Sequence, residues 1–296
     1  MVRAAGGVYT VVSDGEALEC ALRGRLKRAS SLGRVVVGDE VEVAVFPDGS
    51  AAIVEVHPRR TKISRRAAHG TREQVLVANV DRLAAVFAAR APDPNFLLLD
   101  RWLAIAEWNG IEALVVVNKI DLTGADAARA MFATYERIGY PVLYVSAVTG
   151  AGLDALADAL RGRVTAFVGP SGAGKSTLLN AIEPGLGLRV GAVSRKLGTG
   201  RHTTVAASLH PLRMGGYVAD TPGLSLLKLH EFPEAALDLA FREFRTYREG
   251  CRFADCRHLE EPDCAVREAV ARGAIAESRY RSYLAVLAER EEARPY

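Results

Sequence analysis

Residues 163–182 read RVTAFVGPSGAGKSTLLNAI, in which an apolar run is followed by a glycine-rich turn and then by a helical pattern. The turn GPSGAGKS at Gly169–Ser176 fits G-x-x-x-x-G-K-[ST] in full and lies between strand and helix, as this motif requires. Glycines let backbone N–H groups turn inward, where they and the helix N-terminus meet phosphate oxygens. The stretch predicts a phosphate-binding loop in an α/β fold; an incidental glycine-rich turn is the weaker alternative.

The residues expected to contact phosphates and Mg²⁺ lie in this turn and at the end of a later strand. Lys175 should reach the β- and γ-phosphates, Ser176 should bind Mg²⁺, and Thr177 should hold an α-phosphate oxygen. The strand-like run YVAD is followed by TPG, which makes Asp220 an indirect or water-mediated partner of Mg²⁺. The backbone N–H of Gly223 is placed to sense a γ-phosphate, because glycine permits a close approach.

The tetrapeptide NKID at residues 118–121 is expected to contact the base of the nucleotide, which the phosphate loop does not contact. It follows the apolar run ALVVV, so its side chains emerge at the carboxyl end of the sheet, where nucleotides bind in such folds. One carboxylate can accept the adjacent N1–H and N2–H donors of guanine, a pair that adenine lacks, so we expect Asp121 to read guanine. Asn118 would connect loops and contact the base, and the Lys119 stem would lie against the ring. The run YVSAVTG places Ser146 and Ala147 where a backbone N–H can bind guanine O6.

The composition is that of a folded globular protein, with 49% hydrophobic and 25% charged residues among 296. This length favours more than one domain. A net charge of +3 permits a nucleic-acid partner without requiring one. The first residues lack the apolar segment of a signal peptide, and no run is long enough to span a membrane. We therefore expect a cytoplasmic protein with no membrane partner, and nothing in the sequence demands a dimer, so we expect a monomer.

The chain divides into three segments by pattern. Residues 7–57 alternate in short apolar runs separated by Gly, Asp and Pro, which predicts a small antiparallel β unit. From about Gln74, the runs VLVANV, LAAVFAA, IEALVVVN, PVLYVSA and RVTAFVG alternate with helical segments and predict a parallel sheet covered on both faces. Between them, residues 97–108 have an apolar stripe that should belong to the core. Beyond about Leu229 the chain becomes helical and charged.

A cysteine and histidine cluster interrupts this last segment. Cys251, Cys256, His258 and Cys264 form a C-x₄-C-x-H-x₅-C set, which suits tetrahedral Zn²⁺ with no open position, and hence one structural ion. Unpaired cysteines with a surface histidine are the alternative. Two groups of basic residues could contact RNA or face water as a solvated surface. The group around the cluster consists of Arg242, Arg245, Arg248, Arg252, Arg257 and Arg267. The group before Gln74 consists of Arg59, Arg60, Lys62, Arg65 and Arg66.

The order of the motifs is unusual. GTPases usually place the phosphate loop first, whereas here NKID and SA precede it and DTPG comes last, so the chain looks like a circularly permuted GTPase. With the β unit before and the Cys/His loop behind, the whole chain resembles the RsgA (YjeQ/YloQ) family of small ribosomal subunit assembly GTPases. The segments at residues 95–122 and 191–205 resemble that family's pattern too. The resemblance implies an OB-fold β-barrel at 1–68, a permuted P-loop GTPase domain at 74–228, and a mainly helical zinc-binding domain at 229–296.

The residue that usually positions the catalytic water is absent from this sequence. Ras-type enzymes position it with a Gln shortly after DxxG, but here Leu224 follows Gly223 and no Gln lies near. In GTGRHTTV, either Thr203 or Thr204 should bind Mg²⁺, and we favour Thr204. The resemblance implies that His202 orients the water; a structural or RNA-contacting role for this histidine is equally open.

These observations predict a GTPase that uses Mg²⁺ with GTP, binds the small ribosomal subunit and its rRNA, and hydrolyses GTP during late subunit maturation under stimulation by the subunit. The alternative is a nucleotide-regulated RNA-binding protein with little intrinsic turnover. The expected nucleotide-binding residues are Asn118, Lys119, Asp121, Ser146, Ala147, Gly169, Ser171, Gly172, Ala173, Gly174, Lys175, Ser176, Thr177, Asp220 and Gly223.

Overall fold

The computed structural model describes residues 1–13, 15–24, 34–66, 73–187, 207–220 and 237–292. The strands in chain order are β1 (Arg3–Ala5), β2 (Val8–Ser13), β3 (Glu16–Leu22), β4 (Val41–Val45), β5 (Ala51–Val56), β6 (Lys62–Arg66), β7 (Glu73–Ala78), β8 (Arg82–Ala88), β9 (Glu112–Asn118), β10 (Val142–Tyr144), β11 (Val164–Val168), β12 (Ser208–Pro211) and β13 (Tyr217–Asp220). The helices are α1 (Phe96–Trp108), α2 (Ala125–Ile138), α3 (Leu153–Leu160), α4 (Lys175–Ile182), α5 (Arg245–Arg248), α6 (Ala265–Ala271) and α7 (Glu277–Glu292).

The central part of the fold is a parallel sheet, as the buried apolar runs predict. Its strands lie in the order β10-β9-β8-β11-β13, and each neighbouring pair is parallel. Strand β8 is buried along its whole length, which is typical of a strand covered on both faces. One run was assigned wrongly: VLVANV was predicted in this sheet, but Glu73–Ala78 pairs antiparallel with Lys62–Arg66 in a separate hairpin. A short apolar run does not reveal its partner strand.

The described residues of the N-terminal unit, 1–56, form a five-stranded sheet. The order is β1-β2-β3-β5-β4, and β3 runs parallel to β5, so the expectation of a purely antiparallel unit was wrong. The Met1 amino group donates to the Asp39 carbonyl at 2.8 Å, and the Met1 carbonyl accepts the Gly38 N–H at 3.0 Å. These bonds join the segment before β1 to the segment before β4, which is the connection that the predicted barrel requires, and we call this unit the barrel.

One strand joins the barrel to the parallel sheet. Strand β12 pairs antiparallel with β13 on one side and with β1 of the barrel on the other, where Arg3 is in register with Ser208. The Leu209 N–H donates to the Val2 carbonyl at 2.8 Å. Within the described residues, eleven strands therefore form one continuous sheet. No helix in the described ranges is both long and apolar enough to cross a membrane.

Helix α1 connects the sheet to the C-terminal part of the chain. It begins at Phe96 and is capped by Asn95, whose side chain accepts the Leu98 N–H at 3.0 Å. The face predicted to be core is buried, with Leu99 and Leu103 both at 0% exposure. Helix α1 therefore packs on the sheet by the apolar stripe that the sequence shows.

Residues 237–292, which we call the tail, are fixed to α1 by buried ion pairs. Arg279, whose side chain is 1% exposed, donates to Asp100 of α1 at 2.6 Å and to Glu243 of the tail at 2.6 and 3.1 Å. Two turns further along α1, the Glu107 carboxylate accepts Arg242 at 2.6 Å and Arg245 at 2.7 Å. The tail is thus joined to the helix layer of the parallel sheet by charge as well as by apolar packing.

Candidate functional site

The phosphate loop follows β11 and leads into α4, as the sequence predicts. At Gly169 an added Cβ would lie 2.0 Å from the Val86 carbonyl oxygen, and at Gly174, where φ is +90°, it would lie 2.3 Å from Nδ2 of Asn118. Neither position can hold a side chain without moving its neighbours. The loop backbone therefore lies directly against β8 and the NKID segment.

Lys175 is folded over this loop. Its ammonium donates to the Gly169 carbonyl at 2.7 Å and to the Pro170 carbonyl at 2.8 Å, and burial lowers its pKa to about 8. Ser176 follows as the second residue of α4 and is buried, Thr177 is half-buried, and Ser171 is exposed at the loop surface. A phosphate at the loop would meet a cation that is already partly desolvated.

Asn118 joins the three segments predicted to hold the nucleotide. The side chain is 1% exposed. Its Nδ2 donates to the Ala173 carbonyl of the phosphate loop at 2.9 Å, and its Oδ1 accepts the Ala147 N–H at 3.3 Å. Residues far apart in sequence are thereby held at one edge of the sheet, where β9 and β11 end.

The Asp121 carboxylate is oriented by Ser146. The buried Ser146 hydroxyl donates to Oδ1 of Asp121 at 2.5 Å and accepts the Thr149 N–H at 3.2 Å. Asp121 itself is exposed, in a short turn that follows β9. A fixed, accessible carboxylate is the arrangement that can accept two adjacent donors from one base.

A segment that we did not predict also lines the site. After β8, the Ala91 carbonyl accepts the Lys119 ammonium, and the Pro92 ring lies 3.4 Å from the position of a Cβ at Gly172. Lys119 has a left-handed φ of +62°, which turns its side chain toward this contact. The available signal was positional, because the segment leaves the carboxyl end of a buried parallel strand beside the phosphate loop.

Asp220 ends β13, the neighbour of β11, which puts its backbone at the same carboxyl edge as the phosphate loop. The other predicted residues of the phosphate and water site, which are His202, Thr203, Thr204 and Gly223, lie outside the described residues.

The four predicted metal ligands lie together in the tail. The ligand atoms of Cys251, Cys256, His258 and Cys264 are all within 4.8 Å of one another. Tetrahedral Zn²⁺, with Zn–S of about 2.3 Å and Zn–N of about 2.0 Å, requires S···S of about 3.8 Å and S···N of about 3.5 Å. The Sγ atoms of Cys251 and Cys264 are 4.0 Å apart, and the Nδ1 of His258 is 3.7 and 3.3 Å from them. These three ligands are spaced as a tetrahedral ion requires, and the ligand atom of Cys256 lies within 4.8 Å of each of them.

The thiols of this cluster need a cation to ionise. Burial raises the pKa of Cys256 to about 12 and also raises the pKa of Cys264. Metal binding would remove these protons, because the thiolate is the ligand. A carboxylate also touches the cluster, because Oδ2 of Asp238 lies 3.4 Å from Nε2 of His258. Sequence spacing carries no signal for it, since Asp238 lies outside the window that contains the ligands.

Comparison with known proteins gives matches over the full chain. The family model described as RsgA GTPase matches residues 56–230, and the model described as RsgA N-terminal domain matches residues 1–53. The protein named small ribosomal subunit biogenesis GTPase RsgA from Gemmatimonas aurantiaca is 46% identical over 289 residues, which cover 96% of this chain and 94% of that protein. The protein of the same name from Moorella thermoacetica is 44% identical over 289 residues, covering 98% of this chain and 96% of its own.

Two solved structures share the fold. The crystal structure of YjeQ from Thermotoga maritima has a TM-score of 0.83 and 35% identity, and the match covers 99% of this chain and 98% of that one. The structure of YloQ, described as a circularly permuted GTPase, has a TM-score of 0.77 and 30% identity, covering 100% and 95%. With the motif order and the geometry above, these matches confirm the predicted fold class, and the chain belongs to the RsgA GTPase family.

Proposed function

We propose that this GTPase binds the small ribosomal subunit and couples GTP hydrolysis to a late step of its maturation. The observation that carries the proposal is the similarity over nearly the whole chain to a protein named small ribosomal subunit biogenesis GTPase. The arrangement of Asn118, which holds the phosphate loop and the SA segment together, supports a working nucleotide site. Such subunit assembly takes place in the bacterial cytoplasm, where we expect the protein to act.

GTP and GDP should bind at the carboxyl edge of the sheet through the nucleotide-binding residues named from the sequence. The exposed, serine-oriented carboxylate of Asp121 supports guanine selection. Mg²⁺ would be held by Ser176 and the switch threonine Thr204, with Asp220 acting on it through water. The ion would neutralise charge on the β- and γ-phosphates. We propose His202 as the residue that orients the water.

The tail should bind one structural Zn²⁺ through Cys251, Cys256, His258 and Cys264. The fit of the interatomic distances to a tetrahedron supports this assignment. We also propose three functional units with bounds at 1–68, 74–228 and 229–296, and a monomeric protein.

The set of basic residues available to contact rRNA is smaller than the sequence suggests, because many of them form ion pairs within the chain. Arg242 and Arg245 pair with the buried Glu107, and Arg248 pairs with the buried Asp238. Near the barrel, Arg59 is bound to the fully buried Asp39. Releasing these arginines would leave buried carboxylates unpaired, which is costly.

Two arginines of the tail are better placed to contact phosphate. Arg252 pairs with the exposed Asp263, and Arg267 donates to the Glu261 carbonyl at 3.4 Å, so little energy is lost if they change partner. We expect subunit binding to weaken as salt rises. A salt-independent affinity would argue against phosphate contacts.

The deciding experiment is multiple-turnover hydrolysis of GTP with and without purified small subunits. Strong stimulation supports the proposed function, whereas subunit binding without turnover would favour a nucleotide-regulated RNA-binding protein. Competition of ATP against labelled GTP on the same sample distinguishes both of these GTP-binding functions from that of a P-loop ATPase, which would bind ATP at least as well as GTP.

A further inference from the structure

The two ring nitrogens of His258 face different groups. Nδ1 lies 3.3 Å from the Sγ of Cys264 and 3.7 Å from the Sγ of Cys251. Nε2 lies on the other side of the ring, 3.4 Å from Oδ2 of Asp238. A metal in the cluster would therefore be bound through Nδ1. The proton of the neutral ring would stay on Nε2, where a carboxylate can accept it.

Asp238 is held in place by contacts outside the metal cluster. Its Oδ1 accepts the Leu239 N–H at 2.9 Å, and its Oδ2 also accepts Nε of Arg248. The side chain is only 6% exposed. Asp238 begins a short 3-10 turn, Asp238–Ala240, that packs against helix α1. The carboxylate is thus positioned by a part of the tail that contains no metal ligand.

His258 has a strained backbone and a tightly packed ring. Its φ of +60° is left-handed, a conformation that is uncommon for a residue with a side chain. The ring is 0% exposed, perpendicular to Phe244 with centroids 5.9 Å apart, and 6.1 Å from the ring of Tyr283. Apolar rings can fix the plane of an imidazole, but they do not distinguish its protonated nitrogen from its ligating nitrogen. That choice needs a hydrogen-bond acceptor on one side.

We propose that Asp238 is a positioning residue of the metal centre, which holds the Nε2 proton of His258 and so presents Nδ1 to the metal. The inference rests on the proposed zinc site and extends it to a residue that is not a ligand. Carboxylate partners of ligating histidines typically change metal affinity about 10- to 100-fold. Because the Asp238 turn packs on α1, the carboxylate also connects the metal centre to the GTPase part of the fold.

The first test measures zinc affinity of the full-length protein by competition with a chromophoric chelator. We expect Asp238→Ala to bind zinc about 10- to 100-fold more weakly than the unaltered protein, and Asp238→Asn, which keeps an acceptor but no charge, to lose less. The matched control is Asp263→Asn. Asp263 is an acid between two ligands of the cluster, but it is exposed and pairs with Arg252 at 3.1 Å. We expect this control to keep its affinity.

The second test does not depend on any variant folding. Histidine ¹⁵N NMR of the zinc-loaded protein should show His258 bound through Nδ1, with a slowly exchanging Nε2 proton. Metal on Nε2 would overturn the inference, as would an unchanged zinc affinity in Asp238→Ala or an equal loss in Asp263→Asn. If the unaltered protein binds no zinc, the proposed metal centre itself is wrong. That outcome differs from a zinc site whose affinity does not depend on Asp238.

Discussion

Replacing Arg279 by methionine should detach the tail from helix α1. Methionine can fill much of the space of the arginine stem but offers no donor. The substitution would leave two carboxylates without their cation: Asp100, whose side chain is 1% exposed, and Glu243, at 9%. The Tyr135 hydroxyl would still donate to Asp100 at 2.8 Å, which does not replace a charge. The change therefore removes one partner of a buried ion network while keeping the others.

Removal of one partner from a buried pair typically costs about 3–5 kcal/mol. At about 1.4 kcal/mol for each factor of ten, the opening of the tail should become roughly two to four orders of magnitude more favourable.

Native-state hydrogen exchange of the α7 amides measures this opening locally, without assuming that the whole chain unfolds at once. The matched control is Arg281→Met on the same helix, where an exposed pair with Glu277 should be worth less than about 1 kcal/mol. Adding Asp100→Leu and Glu243→Met to Arg279→Met should restore most of the protection. Equal protection in Arg279→Met and Arg281→Met would refute the idea that this network fixes the tail.

Three further predictions concern the nucleotide site. Burial lowers the pKa of Lys175 to about 8, so its charge is lost as pH rises through that value, and affinity for a fluorescent GTP analogue should fall about tenfold between pH 7 and 9. The arginine of Lys175→Arg keeps its charge over this pH range, so an equal fall in its affinity would show that the pH dependence comes from another group. Asp121→Asn should weaken GTP binding and favour xanthosine triphosphate, whose C2 carbonyl accepts from an amide; competition binding measures this, and retained GTP preference would remove Asp121 from the base site. His202→Ala should strongly lower subunit-stimulated hydrolysis with little change in nucleotide affinity, and unchanged stimulated turnover would contradict the catalytic role.

The sequence predicts where the segments of the proposed nucleotide site lie in the fold, because the motifs are short and local. The phosphate loop and NKID each have a fixed local shape, and parallel strands bring their ends to one edge of the sheet. The bond between Asn118 and the Ala173 carbonyl follows from that geometry, although the two residues are 55 positions apart. The four predicted metal ligands also come together in the structure, and all four lie in one short window of the sequence.

Long-range electrostatics could not be predicted in this way. Asp238 approaches His258 only because the tail folds back on itself, and no spacing in the sequence indicates that contact. Arg242 and Arg245 look like free surface cations in a charged helical segment, but both pair with the buried carboxylate of Glu107 on a distant helix. The partners of VLVANV and of β3 were also missed, because strand pairing is settled by tertiary packing rather than by local pattern.

The position of β12 has a practical consequence for anyone who cuts this chain into domains. Its backbone is bonded to β13 on one side and to the barrel strand β1 on the other. A fragment that begins after the barrel would expose the Leu209 N–H, and with it the edge of β12 that pairs with β1, and an open sheet edge is a template for pairing between molecules. Such a fragment should be prone to self-association even if its nucleotide site is intact. Activity measured on it would therefore reflect pairing at the exposed edge of β12 as well as the properties of the enzyme.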